Sequence, residues 1–239
     1  LEHPPIPIIL VGAQRSSDRA SSDAYSNLLA TTQFITKTDF TGVAICMHAT
    51  SEDKESVILP ATKTKKLHAS RRDAFKPINA QPIAKIDPQT EKITFIDKPQ
   101  PSKGTFTVKT KMEDKVALVK SHPNFHPDQL LHYKDYKGIV IEGTGLGHMP
   151  VSDSNDLAKP NIKNLAAAKA LVDKGVIVVM TSQTIFGRVQ MNVYAPGRDI
   201  LKTGVIPGED MTSETAFVKL SWLLANYPKK AKQLITENL

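Results

Sequence analysis

The chain has 239 residues, long enough to bury the core of one large domain or two smaller ones. Its 40% hydrophobic and 23% charged content lies near the globular average, which excludes fibrous and disordered classes. The longest apolar runs, such as Ile6–Ala13 and Val176–Met180, are far too short to span a bilayer, so a soluble protein is expected. Thirty-one basic against 24 acidic residues give a net charge of +7, a modest and dispersed excess compatible with an anionic partner such as RNA. The lone cysteine, Cys46, rules out an internal disulfide; inside "GVAICMH" it reads as a buried, inert thiol in a reducing compartment.

The opening "LEHPPIP" lacks the basic and apolar regions of a secretory signal and reads as the end of a helix from a longer chain. Ile6–Gly12 follows as a parallel strand buried on both faces. "VGAQRSSDRASSDAYSNL" then empties this strand into a turn of hydroxyls, arginines and aspartates. Ser21 or Ser22 is positioned to cap a helix through "DAYSNLLATTQFI", with Asp23 at its positive end. Gly42–His48 is the next buried strand, completing a βαβ unit whose ligands are expected at the carboxyl ends of the strands, where this turn lies. Asp23 serves there either as a cap or as part of a pocket.

Between Val57 and Lys120 the texture becomes short alternating runs, read as antiparallel ribbon with a turn at Asp87–Thr90. The basic stretch "KTKKLHASRR" (63–72) is a solvated face, a phosphate-facing patch, or a loop whose lysine does chemistry. "SHPNFHPDQLLHYKDYK" (121–137) reads as a connector between domains. Beyond it "GIVIEG" and "VIVVMTSQ" are strands, "NIKNLAAAKALVDKG" is a helix ended by Gly175, and "SETAFVKLSWLLAN" is a helix with Ser213 as cap and Ala216, Leu220, Leu223 and Leu224 on one face.

Three motifs carry less than they suggest. "GTGLGH" (143–148) lacks the third glycine of a dinucleotide loop, and His148, Met149 and Pro150 stand where a helix would begin. His122, His126 and His132 are interrupted by Pro123 and Pro127, which speaks against a zinc site. Neither "SSD" lies in a G-x-S-x-G elbow.

Together, "ILVGAQRSSDRASSDAYSNL", "TKKLHASRRDAFKPINAQPIAKI", "GIVIEGTGLGHMP" and "TSQTIFGRVQMNVYAPGRDILKTGVIPGEDMTSETAFVKLSWLL" resemble, in this order, the L-asparaginase type I/II family. Within it they are most similar to the branch that serves as the D-subunit of archaeal glutamyl-tRNA(Gln) amidotransferases. The resemblance covers nearly the whole chain. It implies an asparaginase-like α/β fold: the remainder of an N-terminal α/β domain with a β-hairpin region (1–125), and a smaller doubly wound C-terminal α/β domain (136–239).

The implied function is glutamine hydrolysis, with the ammonia passed to a partner, the amidotransferase E-subunit, that uses ATP and magnesium to amidate glutamyl-tRNA(Gln). No cofactor is implied in this chain itself. A homodimer within a heterotetramer, cytoplasmic and without membrane contact, is the implied setting. Family members use two threonines, an aspartate and a lysine. The threonines and aspartate belong to T-G-G-T-I and T-D-T motifs that do not occur in this sequence and are expected upstream of Leu1, so the chain alone is expected to be inactive. The lysine corresponds to Lys66, nine residues before Phe75. Beside a threonine, such a lysine takes and returns a proton once burial or neighbouring cations such as Lys63, Lys65, Arg71 and Arg72 tune it. Gln14, Ser22 and Asp23 are placed at the pocket rim, and Gly145 and His148 in a loop that reaches a neighbouring protomer or packs at a dimer interface. A free-standing L-asparaginase and a non-catalytic dimerisation or docking domain are the alternatives.

Overall fold

A computed structural model describes residues 1–101 and 103–237. The chain divides into two compact units, Leu1–Val108 and Lys109–Leu239.

The first unit is built on a five-stranded sheet in the order β1-β2-β3-β6-β7, from β1 (Pro7–Val11), β2 (Gly42–His48), β3 (Ser56–Pro60), β6 (Ala84–Asp87) and β7 (Lys92–Phe95). Strands β1 and β2 are parallel, from Pro7 opposite Gly42 to Val11 opposite Cys46; every later pairing is antiparallel. Helix α1 (Ala24–Lys37) crosses over between the parallel pair, as the apolar spacing requires. It lays Ala30 and Phe34 on Ala44, Cys46, Ile58, Ala84 and Ile86, and Phe34 meets Phe40 and Phe95 at ring distances of 5.3 and 5.9 Å. The predicted hairpin turn lies between β6 and β7, where Asp87 Oδ1 accepts the N–H groups of Gln89 and Thr90. A separate two-stranded ribbon pairs β4 (Thr64–Lys66) with β5 (Phe75–Pro77), setting Lys66 opposite Phe75.

Two expectations for this unit are corrected. β1 is not buried on both faces: among the described residues it has β2 as its one partner in the sheet, and Leu10 and Val11 are 55% and 39% exposed. Neither Ser21 nor Ser22 is the helix cap. Asp23 occupies that position, and its carboxyl bonds the backbone of the preceding turn and the Asn27 side chain, not the backbone N–H groups of the helix's first turn.

The second unit is a four-stranded parallel sheet in the order β11-β10-β9-β8, from β8 (Val116–Lys120), β9 (Gly138–Gly143), β10 (Ile177–Ser182) and β11 (Ile206–Pro207). Both faces are covered, as near-continuous apolar strands demand. α2 (Pro127–Leu131), α3 (Lys163–Asp173) and α4 (Ala195–Lys202) contribute Leu130, Leu171 and Ile200 to one core. α5 (Ser213–Asn226) and α6 (Ala231–Leu234) supply Leu220, Leu223 and Ala231 to the other. Gly175 ends α3 at φ +91°, the left-handed position its sequence context predicts.

Here too the sequence expectation shifts. Val116–Lys120, read as the tail of the antiparallel ribbon and inside a first domain ending at 125, pairs in parallel with β9 and belongs to the second unit. The connector at 121–137 lies in that unit as well and contains α2, capped by His126. The cap of α5 is Thr212, whose side chain accepts the Thr215 N–H; Ser213 instead turns inward, 2.9 Å from Thr181 Oγ1.

Candidate active site

In the first unit the polar chemistry gathers at the carboxyl ends of β1 and β2. The turn after β1 folds back over the start of α1, and Asp23 holds it there. Its side chain is fully buried and accepts the backbone N–H groups of Gln14 (3.0 and 3.2 Å, one to each oxygen) and Arg15 (3.0 Å), together with Asn27 Nδ2 (3.0 Å). Ser22 closes the turn from its own side, donating to Arg15 O (2.9 Å) and accepting from Ala24 N (3.2 Å). Gln14, Ser22 and Asp23 are therefore one local assembly. Asp23, at the N-cap position of α1, supports the turn from beneath and is not an exposed ligand.

Asn27 extends this assembly into the sheet. Its amide donates to Gly12 O (3.0 Å) and Asp23, while its carbonyl oxygen faces His48 Nδ1 (2.7 Å) and Ser56 Oγ (3.3 Å). The Cys46 thiol lies 3.5 Å from Asn27 O, and burial pushes its pKa up to about 11, in keeping with an inert thiol. Asn27, His48 and Ser56 were not singled out by sequence reasoning. A signal for Asn27 was present: it stands four residues after Asp23, so the two share the helix face that otherwise buries Ala30 and Phe34.

The β4–β5 ribbon carries Lys66 at its end. Lys66 is exposed, with its Nζ 5.9 Å from the Phe75 ring centroid. Of the two expected influences, burial or a neighbouring cation, burial is not found, because Lys66 is the last residue of a short two-stranded ribbon. Two of the expected neighbouring cations have counter-ions of their own: Arg71 bonds Asp73 through both forks (2.9 and 2.8 Å), and Arg72 pairs with Asp53. The ribbon is tied to the segment after β2 by Lys76 Nζ on Ala49 O (2.9 Å) and by Arg72 on Ser51 O and Asp53.

In the second unit, residues 144–148 form a closed turn after β9, with Thr144 N donating to His148 O (2.8 Å). Gly145 has φ +49° and open space around it, whereas a side chain on Gly147 would strike Val189 at 2.6 Å. The His148 ring packs against Tyr194 (5.8 Å between centroids) and α4, its buried Nε2 3.0 Å from where a side chain on Gly197 would begin. Gly145 and His148 thus share one loop, which is separate from the assembly around Asp23 in that it belongs to the other unit. Among the described residues no cluster of histidine, cysteine and carboxylate side chains has the makings of a metal site, and no helix is long and apolar enough to cross a membrane.

Two family models match this chain: the asparaginase N-terminal domain over residues 1–101 and the glutaminase/asparaginase C-terminal domain over residues 115–235. The chain belongs to the glutaminase/asparaginase family. Among its curated relatives, the glutamyl-tRNA(Gln) amidotransferase D-subunit of Pyrococcus furiosus is 49% identical over 97% of this chain and 51% of its own length. The protein of the same name from Methanococcus maripaludis strain S2 is 45% identical over 98% of this chain and 55% of its own. The chain therefore spans about half the length of the curated relatives it matches. Among solved structures, the thermostable L-asparaginase of Thermococcus kodakarensis superposes with a TM-score of 0.85 at 28% identity, covering 99% of this chain and 67% of that one.

Proposed function

We propose that this chain is part of the glutamine-hydrolysing subunit of a tRNA-dependent amidotransferase. The observation that carries the reading is a contrast in similarity: 45% and 49% identity to proteins named as the amidotransferase D-subunit over nearly all of the chain, against 28% to a free-standing asparaginase of the same fold. Glutamine would be cleaved to glutamate and ammonia. The ammonia would pass to the E-subunit, which would use ATP and magnesium to convert glutamyl-tRNA(Gln) into its amidated form. The setting is a homodimer within a cytoplasmic heterotetramer.

In this reading the side chains of the first unit have distinct tasks. Asp23, with Ser22, sets the shape of the turn that forms the pocket rim, and Gln14 is fixed by its backbone N–H on Asp23. Lys66, beside the second threonine, takes and returns a proton, the work of a positioned acid–base group. Its exposed place on the ribbon leaves Nζ accessible to such a partner. Gly145 and His148 form the rim contributed by a neighbouring protomer. The threonine motifs do not occur in these 239 residues, so the chain by itself would not hydrolyse the amide.

The test is amide preference with and without a partner. The full-length protein that contains this chain, coexpressed with the E-subunit, is expected to copurify with it and to release ammonia from glutamine in preference to asparagine. The isolated 239 residues should release none above the buffer blank. Asparagine cleavage by a full-length protein that never associates with the E-subunit would replace the reading with a free-standing asparaginase. Turnover by the isolated chain, kept through repurification, would overturn the assignment of the nucleophile.

A further inference from the structure

His48 ends β2, is 1% exposed, and has no part in the chemistry assigned so far. Its neighbours fix its tautomer. Both N–H groups of the Asn27 amide are committed, to Gly12 O and to Asp23 Oδ2, so Asn27 Oδ1 meets His48 Nδ1 as an acceptor at 2.7 Å. Nδ1 therefore carries a proton, and in the neutral ring Nε2 presents a bare lone pair. That Nε2 is buried without a hydrogen-bond partner and lies 3.6 Å from Asp53 Oδ1, too far for a hydrogen bond. Asp53 is in turn held by Arg72, whose side chain is 11% exposed although it sits on the loop of the β4–β5 ribbon. Arg72 also grips Ser51 O.

We infer that His48 is a positioning residue for Lys66: through Asn27 on one side and through Asp53 and Arg72 on the other, it couples the turn at 12–23 to the ribbon that carries Lys66. The inference rests on the proton-transfer role given to Lys66 above. Its physical content is a choice of partner for Asp53. While the His48 ring is neutral it offers Asp53 no donor, so the carboxylate belongs to Arg72 and the ribbon stays clamped to the end of β2. A protonated ring would donate to the same Asp53 oxygen that Arg72 holds and place a second cation beside the guanidinium. The charged groups facing the ring are Asp23, Asp53 and Arg72. Burial holds its pKa below the usual histidine value, with Arg72 acting in the same direction and Asp23 and Asp53 opposing, which keeps the ring neutral in the working range.

The experiment uses the full-length protein purified with the E-subunit, with glutamine hydrolysis as the readout. His48→Leu, which fills the site without polar atoms, is expected to lower kcat about tenfold with KM for glutamine unchanged, because what is lost is the placement of a proton carrier and not substrate contact. In a Lys66→Met background the same change should have almost no further effect. Arg72→Gln reads the coupling from the other end and should give the same pattern, which keeps the test open if His48→Leu does not fold. An equal fold-loss in both backgrounds would show a purely structural role and overturn the inference. If Lys66→Met is slow while His48→Leu and Arg72→Gln are both normal, the coupling alone fails. If Lys66→Met is itself normal, the role of Lys66 fails and the coupling with it.

Discussion

Replacing Asp23 with Ala tests whether one buried carboxylate holds the turn above it. Its oxygens accept from Gln14 N, Arg15 N and Asn27 Nδ2, each at 3.0 Å at closest approach. Hydrogen bonds to an ionised acceptor contribute about 1.5–3 kcal/mol each, and a buried donor left without a partner costs about 1–3 kcal/mol. The three do not count equally. Gln14 is half-buried and Arg15 exposed, so water recovers most of what their N–H groups lose, whereas the Asn27 amide is buried, and one of its two N–H groups is left without a partner while the other keeps Gly12 O. The net loss is therefore about 2–4 kcal/mol, at the large end for a single substitution. The chain supplies two independent probes for urea unfolding: its lone cysteine, Cys46, lies fully buried in the first unit, and its lone tryptophan, Trp222, lies in the second. With an m-value of about 2 kcal/mol per molar, the midpoint of Cys46 labelling should fall by about 1–2 M, and Trp222 fluorescence should shift less. A fall worth under about 1 kcal/mol in the Cys46 curve would mean that the turn keeps its shape without the carboxylate, and the pocket-rim role of Asp23 would fall with it.

In the full-length protein with the E-subunit, Lys66→Met should lower glutamine-dependent amidation by about a hundredfold or more while amidation from free ammonia survives; Lys65→Met serves as the register control, and a loss there instead would move the assignment by one residue. Gly145 stands at φ +49° with open space around it, so Gly145→Phe should fold with a modest strain cost and weaken self-association in sedimentation; Gly145→Ala reports the strain alone, and an unchanged dimer with Phe would remove this loop from the interface. His48 gives stability a pH dependence of defined sign. Its folded pKa lies below the usual value, so as pH falls through about 6.5 the unfolded chain takes up a proton that the folded chain refuses, and stability declines until the lower folded pKa is passed. His48→Asn should flatten that decline in denaturation midpoints collected between about pH 7 and 5, and an unaltered slope would show that another group causes it.

Strong local patterns made much of the fold legible. "GVAICMH" and "VIVVMTSQ" are apolar runs too short for helices, and Gly175 sits where a left-handed residue must end α3. The missed elements depended on distant partners or contradictory local signals. "VALVK" reads locally as one more strand of the antiparallel ribbon, and it becomes the parallel strand β8 because β9, later in the chain, offers it an edge. "YAPGRDILK" begins with Pro196 and Gly197, which suggest a loop, yet proline is favoured in a first helical turn, and glycine is required here because a side chain at 197 would meet Met191 O at 2.3 Å. At the site, Asp23 and Lys66 stood out as residue types. The partnership of Asn27 with His48, and of Asp53 with Arg72, joins positions 21 and 19 residues apart and was not legible from spacing.

The two histidines at the candidate sites show why burial alone does not distinguish a packing residue from a responsive one. Each has a buried Nε2 without a hydrogen-bond partner. Around His148 the nearest constraints are steric, from Tyr194 and the backbone at Gly197. Around His48 the ring is fixed by Asn27, and the bare nitrogen confronts a carboxylate already engaged by an arginine. A proton arriving at His48 changes which cation that carboxylate serves, so its cost and its consequence fall on the ribbon bearing Lys66. The unfilled valence at His48 is thus the point at which pH and geometry can act on the residue assigned to move a proton.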